Sequence, residues 1–359
     1  MTRPFSFSAG PATLPLPVLD RAKDDMFDWR GTGVSVMEIS HRHAAVAALF
    51  EQVERDLRTL LAVPADYRIL LTQAPPTALA AIIPMNLAAP DDVADFVHTG
   101  AWSGRFYTEA QKYLRPHLAV SSEYTGFTDI PPQSSWELTP FARYVHLCTN
   151  ETIHGVEFFF TPETNGIPLV ADMSSHLLSR VPDVARYGAI IAGAQKNMGI
   201  AGVSVVIVQE ALLGKAQVTC PSVFDWRKLA DASSLLNTPP VHAVYIASLV
   251  LEWIKAEGGV DEMERRAIAK SAHLYRCIDA SALYINHVRP HCRSRMNVPF
   301  FLSDPSLTQT FLSGAERHGL LGLAGHRSLG GIRASLYNAM PMAGIEKLVE
   351  YMREFERSA

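Results

Sequence analysis

Six short apolar runs, at residues 68–71, 95–98, 144–147, 168–171, 189–192 and 203–208, alternate with helical or loop segments. Runs of this kind suit strands buried on both faces, so the pattern predicts an α/β sheet with helices packed on its two sides. Two of the runs end in reactive groups. Leu169-Val170-Ala171 stops at Asp172, and Ile190-Ile191-Ala192-Gly193-Ala194-Gln195 stops at Lys196. In doubly wound sheets ligands bind beyond the carboxyl ends of strands, where this acid and this lysine would both lie. A lysine there can hold an aldehyde cofactor as a Schiff base, and an acid can keep a pyridine nitrogen protonated so that the ring accepts electrons, which is pyridoxal phosphate chemistry. Most strand-end lysines are ordinary solvated charges, and the residues alone leave the two readings level.

Composition narrows the classes. A chain of 359 residues is too long for one compact core and fits a large domain with a smaller one. With 48% hydrophobic and 19% charged residues it reads as soluble and globular. A net charge of -4 and the lack of any long Lys/Arg run argue against a nucleic-acid partner. Cys148, Cys220, Cys277 and Cys292 are scattered without metal-ligand spacing, so neither a disulfide framework nor a metal site is expected. No apolar stretch is long enough for a membrane span, and residues 1–10 have no apolar targeting core; the expectation is a cytoplasmic protein with no membrane partner.

Helical spacing is clearest at 44–62, where Val46, Leu49, Phe50, Val53, Leu57, Leu60 and Leu61 share one face. Glu51 with Arg55 and Glu54 with Arg58 add i,i+4 pairs on the other side. A second long helix is expected at 241–257, stopped by Gly258-Gly259, and a third is expected to start at Asp261 with Glu264 completing a capping box. The break at 258–259 marks the expected boundary between a large domain, 16–258, and a small α+β domain made of 1–15 with 259–359. Strand-like text at 296–300 and 331–335 and a terminal helix from Gly344 belong to the latter.

Longer motifs carry a specific resemblance. They include Phe7-Ser8-Ala9-Gly10-Pro11-Ala12, Ser35-Val36-Met37-Glu38-Ile39-Ser40-His41-Arg42, Asn150-Glu151-Thr152-Ile153-His154-Gly155 and Ala192-Gly193-Ala194-Gln195-Lys196-Asn197. Leu236-Asn237-Thr238-Pro239-Pro240, Arg293-Ser294-Arg295-Met296-Asn297-Val298-Pro299-Phe300 and the stretch from Gly330 to Pro341 extend it over almost the whole chain. The chain resembles the phosphoserine aminotransferases, fold-type I pyridoxal phosphate enzymes of class V. That resemblance implies a large domain with a mostly parallel sheet plus a smaller α+β domain. It implies Lys196 as the Schiff-base lysine, Asp172 at the pyridine nitrogen, Trp102 stacked on the ring, Thr152 on the phenolic oxygen side and Gln195 at the phosphate. It implies a homodimer with active sites at the subunit interface, Asn237 and Thr238 reaching the phosphate from the second subunit. On the substrate side it implies Arg333 at the α-carboxylate, His41 and Arg42 at the distal anion, and His326-Arg327 reading phosphate from the neighbouring subunit. The implied reaction moves an amino group between glutamate and 3-phosphohydroxypyruvate in serine biosynthesis, and the resemblance also allows the 4-phosphohydroxythreonine step of pyridoxine biosynthesis.

One segment departs from that pattern. Where the family has a glycine-rich phosphate turn, this chain has Gln73-Ala74-Pro75-Pro76-Thr77-Ala78. Proline lacks the N–H that would meet an anion. Either Pro76 occupies the first helical turn, leaving Thr77 and Ala78 to offer their N–H groups, or phosphate binding is weakened. The second case leaves open a diverged aminotransferase for another acidic substrate, or a non-catalytic paralogue. His43, after His41-Arg42, reads either as a titratable neighbour of the anion site or as the first, solvent-facing residue of the 44–62 helix.

Overall fold

The structure, a computed structural model, describes residues 3–358. The expected small-domain range therefore includes three residues, 1, 2 and 359, that lie outside the described part. Seven strands build the main sheet: β1 (Tyr67–Thr72), β2 (Val93–His98), β3 (Arg115–Ser121), β4 (Val145–Cys148), β5 (Leu169–Asp172), β6 (Ala189–Gly193) and β7 (Ser204–Gln209). Their order is β1-β7-β6-β5-β4-β2-β3. From β6 through β3 every pairing is parallel, whereas β7 runs antiparallel to both of its neighbours.

The exception matters for the site. Ser204 pairs with Gly193, so β6 and β7 form a hairpin whose connection, 194–203, carries Lys196. An antiparallel return needs no crossover helix, so the lysine stays at the strand end where β6 delivers it. Asp172, the last residue of β5, is in register with Ile191 of β6. Acid and lysine thus meet on the same edge of the sheet.

β4, β5 and β6 are buried at every position, as their apolar runs require. Period-two alternation splits their side chains between two cores. Val145, Leu147, Leu169, Ala171, Ile190 and Ala192 face one cluster, shared with the Ala44–Leu60 and Val241–Ala256 helices. Tyr144, Cys148, Val170, Ala189 and Ile191 face the other, shared with the Pro76–Leu87 and Ala101–Ala110 helices. β3 is the strand the sequence pattern does not announce. It is one of the two edge strands, only Ala119 of it is buried, and Pro116 is tolerated there because an edge lacks one row of ladder bonds.

A third cluster gathers around β8 (Tyr284–Ile285), β9 (Asn297–Leu302) and β10 (Ile332–Ser335), an antiparallel sheet in the order β8-β9-β10. The Thr308–Arg317 and Met342–Ser358 helices cover it. Phe7 is fully buried in this cluster, and Phe5–Ser6 pairs with Leu320–Leu321, so the amino-terminal leg packs here. One helix start is corrected. The third long helix begins at Gly259, with Gly258 at the cap in left-handed conformation (φ 107°), and Asp261 lies inside the first turn without capping it. Two successive glycines allow a tighter reversal than an Asp cap needs, and the helix therefore starts two residues earlier.

Candidate active site

The 194–203 connection places Lys196 above the carboxyl end of the sheet, in a cavity lined by Pro75, Pro76, Thr77, Trp102, Asn150, Thr152, Asp172, Ser174, Ser175 and Gln195. Lys196 Nζ donates to Thr152 Oγ1 at 2.8 Å and lies 5.8 Å from the centre of the Trp102 ring. The side chain keeps some exposed surface along the cavity, yet the ammonium is enclosed enough that burial pushes its pKa down to about 8. Asp172 pulls it back up, and Arg333 adds a further downward push.

Asp172 is 8% exposed. Its Oδ1 accepts from the Ser174 N–H at 2.8 Å, and the Cys148 thiol lies 3.8 Å from Oδ2. Burial pushes the Cys148 thiol up, so it stays protonated beside the carboxylate. Ser174 Oγ accepts from the Gly193 N–H at 3.0 Å and so joins the ends of β5 and β6. The amino-terminal leg runs past Lys196 and Gln195: Ala12 N–H donates to Gln195 O, and Tyr337 Oη donates to Ala9 O.

The proline loop bears out one half of the milder reading, the helix start at Pro76. Pro75 caps the Pro76–Leu87 helix and Pro76 is its first residue, where a missing N–H costs little. Ala78 is corrected. Its N–H donates to Pro75 O at 2.8 Å, because the first turn closes tightly, and Ala78 does not line the cavity. Thr77 does line it, with neither its N–H nor its hydroxyl bonded among the described residues.

The remaining predicted residues separate into two groups. Arg333, on β10, is largely buried without an ion-pair partner among the described residues, and its Nε has no hydrogen bond. Burial lowers its pKa. His326 is close enough to Arg333 and to His154 for their charges to bear on one another, whereas Arg327 beside it is exposed. The resemblance places the His326-Arg327 pair at a neighbour's site; within one chain His326 lies near enough to Arg333 to feel its charge. His41 and Thr238 line a different cavity with Met37 and Pro239. Arg42 is exposed beside it, and Asn237 Nδ2 donates to Gln73 Oε1 and to Thr238 O, each at 3.4 Å. Within one chain these four do not touch the Lys196 cavity. His43 caps the Ala44–Leu60 helix, its Nδ1 accepting from Ala45 N–H, and points to solvent.

Sequence reasoning passed over Glu151 and His154, which sit inside a quoted motif but gave no periodic or spacing signal. Glu151 is fully buried and accepts from Trp102 N, Ser103 N and Ser103 Oγ at 3.0, 2.8 and 2.6 Å. His154 Nδ1 accepts from Ala101 N. The metal expectation also needs a note, since Asp129, His291 and Cys292 lie close together outside the cavity. An Asp129–His291 pair at 3.0 Å and a Cys292 thiol directed at Arg289 O account for that cluster.

A class-V aminotransferase family model matches residues 5–348. The chain belongs to that family. Phosphoserine aminotransferase of Burkholderia cenocepacia is 54% identical over 356 residues, covering 99% of both chains. Among solved structures, phosphoserine aminotransferase from Bacillus circulans subsp. alkalophilus is 39% identical, with a TM-score of 0.97 and 99% of each chain covered. The PLP-bound phosphoserine aminotransferase of Trichomonas vaginalis is 36% identical with a TM-score of 0.94, covering 98% of this chain and 100% of that one. The family's fold-type I architecture is the one observed. The donor set in the cavity, an amine of lowered pKa, a carboxylate, an indole face with an unpartnered Nε1 and an open helix start, fits a planar aldehyde that carries a phosphate.

A depressed lysine pKa has a definite sign. Between about pH 8 and the ordinary value of 10.5, folded Lys196 is neutral while unfolded Lys196 still binds a proton. Stability of the cofactor-free protein therefore rises with pH across that window, and below it the burial penalty is fully present. Replacement by methionine, Lys196→Met, should flatten this rise in denaturation measured at successive pH values. Aldehyde or acylating reagents should modify Lys196 with a half-maximal rate near pH 8.

Proposed function

We propose that the protein is a phosphoserine:2-oxoglutarate aminotransferase acting in serine biosynthesis, with pyridoxal 5'-phosphate as its cofactor. The observation that carries this reading is Lys196, held by Thr152 with its pKa lowered, in one cavity with Asp172 and Trp102. Relatives named as phosphoserine aminotransferases, similar over the full chain, support the substrate assignment. Bound there, the cofactor supplies a conjugated ring that takes up the electron pair left when a proton leaves the amino acid's Cα.

The chain's own residues do the rest. Lys196, Thr77, Gln195, Trp102, Thr152 and Asp172 would hold the cofactor. Asp172 keeps a proton on the ring nitrogen, which a carboxylate fixed by the Ser174 N–H is placed to do. Trp102 shields one face from water. Lys196 Nζ would hold the cofactor aldehyde, and as a free amine of lowered pKa it would carry a proton between the substrate Cα and the cofactor's aldehyde carbon, a general acid/base. Thr152 Oγ1 orients that nitrogen. Arg333, with no carboxylate of its own, grips the substrate α-carboxylate in a two-pronged fork.

His41, Arg42, Asn237 and Thr238 complete the site of a second copy in a homodimer, with His41 and Arg42 at the distal carboxylate or phosphate of the substrate. Exposed Met37 lines the same cavity as His41 and Thr238 and gives the contact an apolar part. Arg327 adds positive charge for a phosphorylated substrate, and His326, whose pKa is lowered by burial and by the neighbouring arginines, adds a neutral hydrogen-bonding ring beside it. The cytoplasm is the expected compartment, and no helix among the described residues is long and apolar enough to cross a membrane.

Cofactor-loaded protein should convert phosphoserine and 2-oxoglutarate to glutamate, followed by a coupled assay, and no such conversion would refute the reading. Arg333→Ala should raise KM for both amino donors roughly ten- to hundredfold, the worth of a charge-assisted hydrogen bond, and Arg333→Lys should restore only part of it. The dimer is tested by mixing two inactive variants, Arg42→Ala and Lys196→Ala, under exchange conditions. A shared site predicts recovered activity in the hybrid, whereas sites confined to one chain predict none.

A further inference from the structure

The first turn of the Ala101–Ala110 helix is capped from outside. Three of its N–H groups, those of Ala101, Trp102 and Ser103, donate to side chains of one short hairpin: His154 Nδ1, Glu151 Oε2 and Glu151 Oε1. That hairpin, Asn150–Glu151 paired with Val156–Glu157, also carries Thr152, the acceptor for Lys196. Gly100 makes the fit possible. A Cβ there would lie 2.4 Å from Glu151 Cδ, so only glycine lets the carboxylate reach the helix start.

The hairpin is itself fixed on its other side. Asn150 Nδ2 donates to Asn297 Oδ1 at 2.9 Å, and Ser294 Oγ donates to Asn150 Oδ1 at 2.6 Å. Asn297 and Pro299 of β9 are in register with Ser335 and Arg333 of β10. One buried polar frame therefore joins the Trp102 helix, Thr152 and the strand of Arg333.

Resting on the functional reading above, we propose that Glu151 is a positioning residue for the reaction. Through the Trp102 and Ser103 N–H groups its carboxylate sets the indole against the Lys196 cavity, and through its neighbour in the chain it sets Thr152 under Lys196 Nζ. It does not line the Lys196 cavity. A purely structural cap would stabilise the helix wherever the tryptophan pointed, whereas a positioning residue acts on cofactor binding by way of Trp102. Burial raises the Glu151 carboxyl pKa, and the Ser103 and Trp102 donors pull it part of the way back.

The test is a double-mutant cycle on the full chain, reading the dissociation constant of pyridoxal 5'-phosphate by equilibrium dialysis. Glu151→Gln keeps the shape but turns an amide donor toward one of the helix N–H groups. It should weaken cofactor binding roughly tenfold, the scale of one lost charge-assisted hydrogen bond. In a Trp102→Ala background the same change should have almost no further effect. Gly100→Ala, whose methyl would displace the carboxylate, should reproduce Glu151→Gln and serves if that variant folds poorly. An unchanged dissociation constant, or equal losses with and without Trp102, would overturn the proposal. Failure of the unaltered protein to bind the cofactor would instead overturn the functional reading.

Discussion

An amine enclosed in a poorly solvated cavity, with a single hydroxyl to donate to, is the constraint on which the rest of this structure depends. Lys196 reaches that position because β6 ends in a hairpin connection and because β7 returns antiparallel beside it. Enclosure disfavours the ammonium and brings its pKa to about 8, while Asp172 on the adjacent strand keeps it from falling further. A neutral nucleophilic amine is then populated close to physiological pH, and an acid stands ready for a ring nitrogen. The buried core strands make this affordable in structural terms: their side chains are committed to two apolar clusters, and only their carboxyl ends are left for chemistry.

The second determinant is rigidity around the cavity. The Asn150–Glu157 hairpin binds the Trp102 helix start on one side and β9 on the other, and the amino-terminal leg runs past Lys196 to pair with the smaller sheet region. Lys270, buried in the Gly259–Asp279 helix, donates to the carbonyls of Leu336, Tyr337 and Met340 and fixes the segment that follows Arg333's strand. Polar groups withdrawn from water are matched at each of these points, and a matched buried network favours one geometry over nearby alternatives. Arg333 and Lys196 are thereby held in one frame although they come from different sheets.

Much of this was legible in the sequence where burial and periodicity coincide. The apolar runs of β4 to β7 announce themselves, and the helix at 44–62 shows its face, because each must bury a regular stripe. β3 does not, since an edge strand half in solvent needs no stripe. Asp172 and Lys196 stand out as charges ending apolar runs, but Glu151 ends nothing. Its role exists only once folding brings a helix start from 50 residues away in sequence to its carboxylate. The helix start at Gly259 and the engaged Ala78 N–H follow from backbone reversals that side-chain patterns do not encode. Pro75-Pro76 looked like damage to a phosphate loop and is a helix start, a distinction set by backbone geometry and not by residue type.

The central claim is that Lys196 alone among the chain's lysines carries the cofactor. Incubation with pyridoxal 5'-phosphate, borohydride reduction and peptide mass spectrometry tests it most directly. The structure predicts one stoichiometric reduced adduct on the peptide containing Lys196, with none in Lys196→Ala. Adducts spread over surface lysines, or an unmodified Lys196, would contradict it.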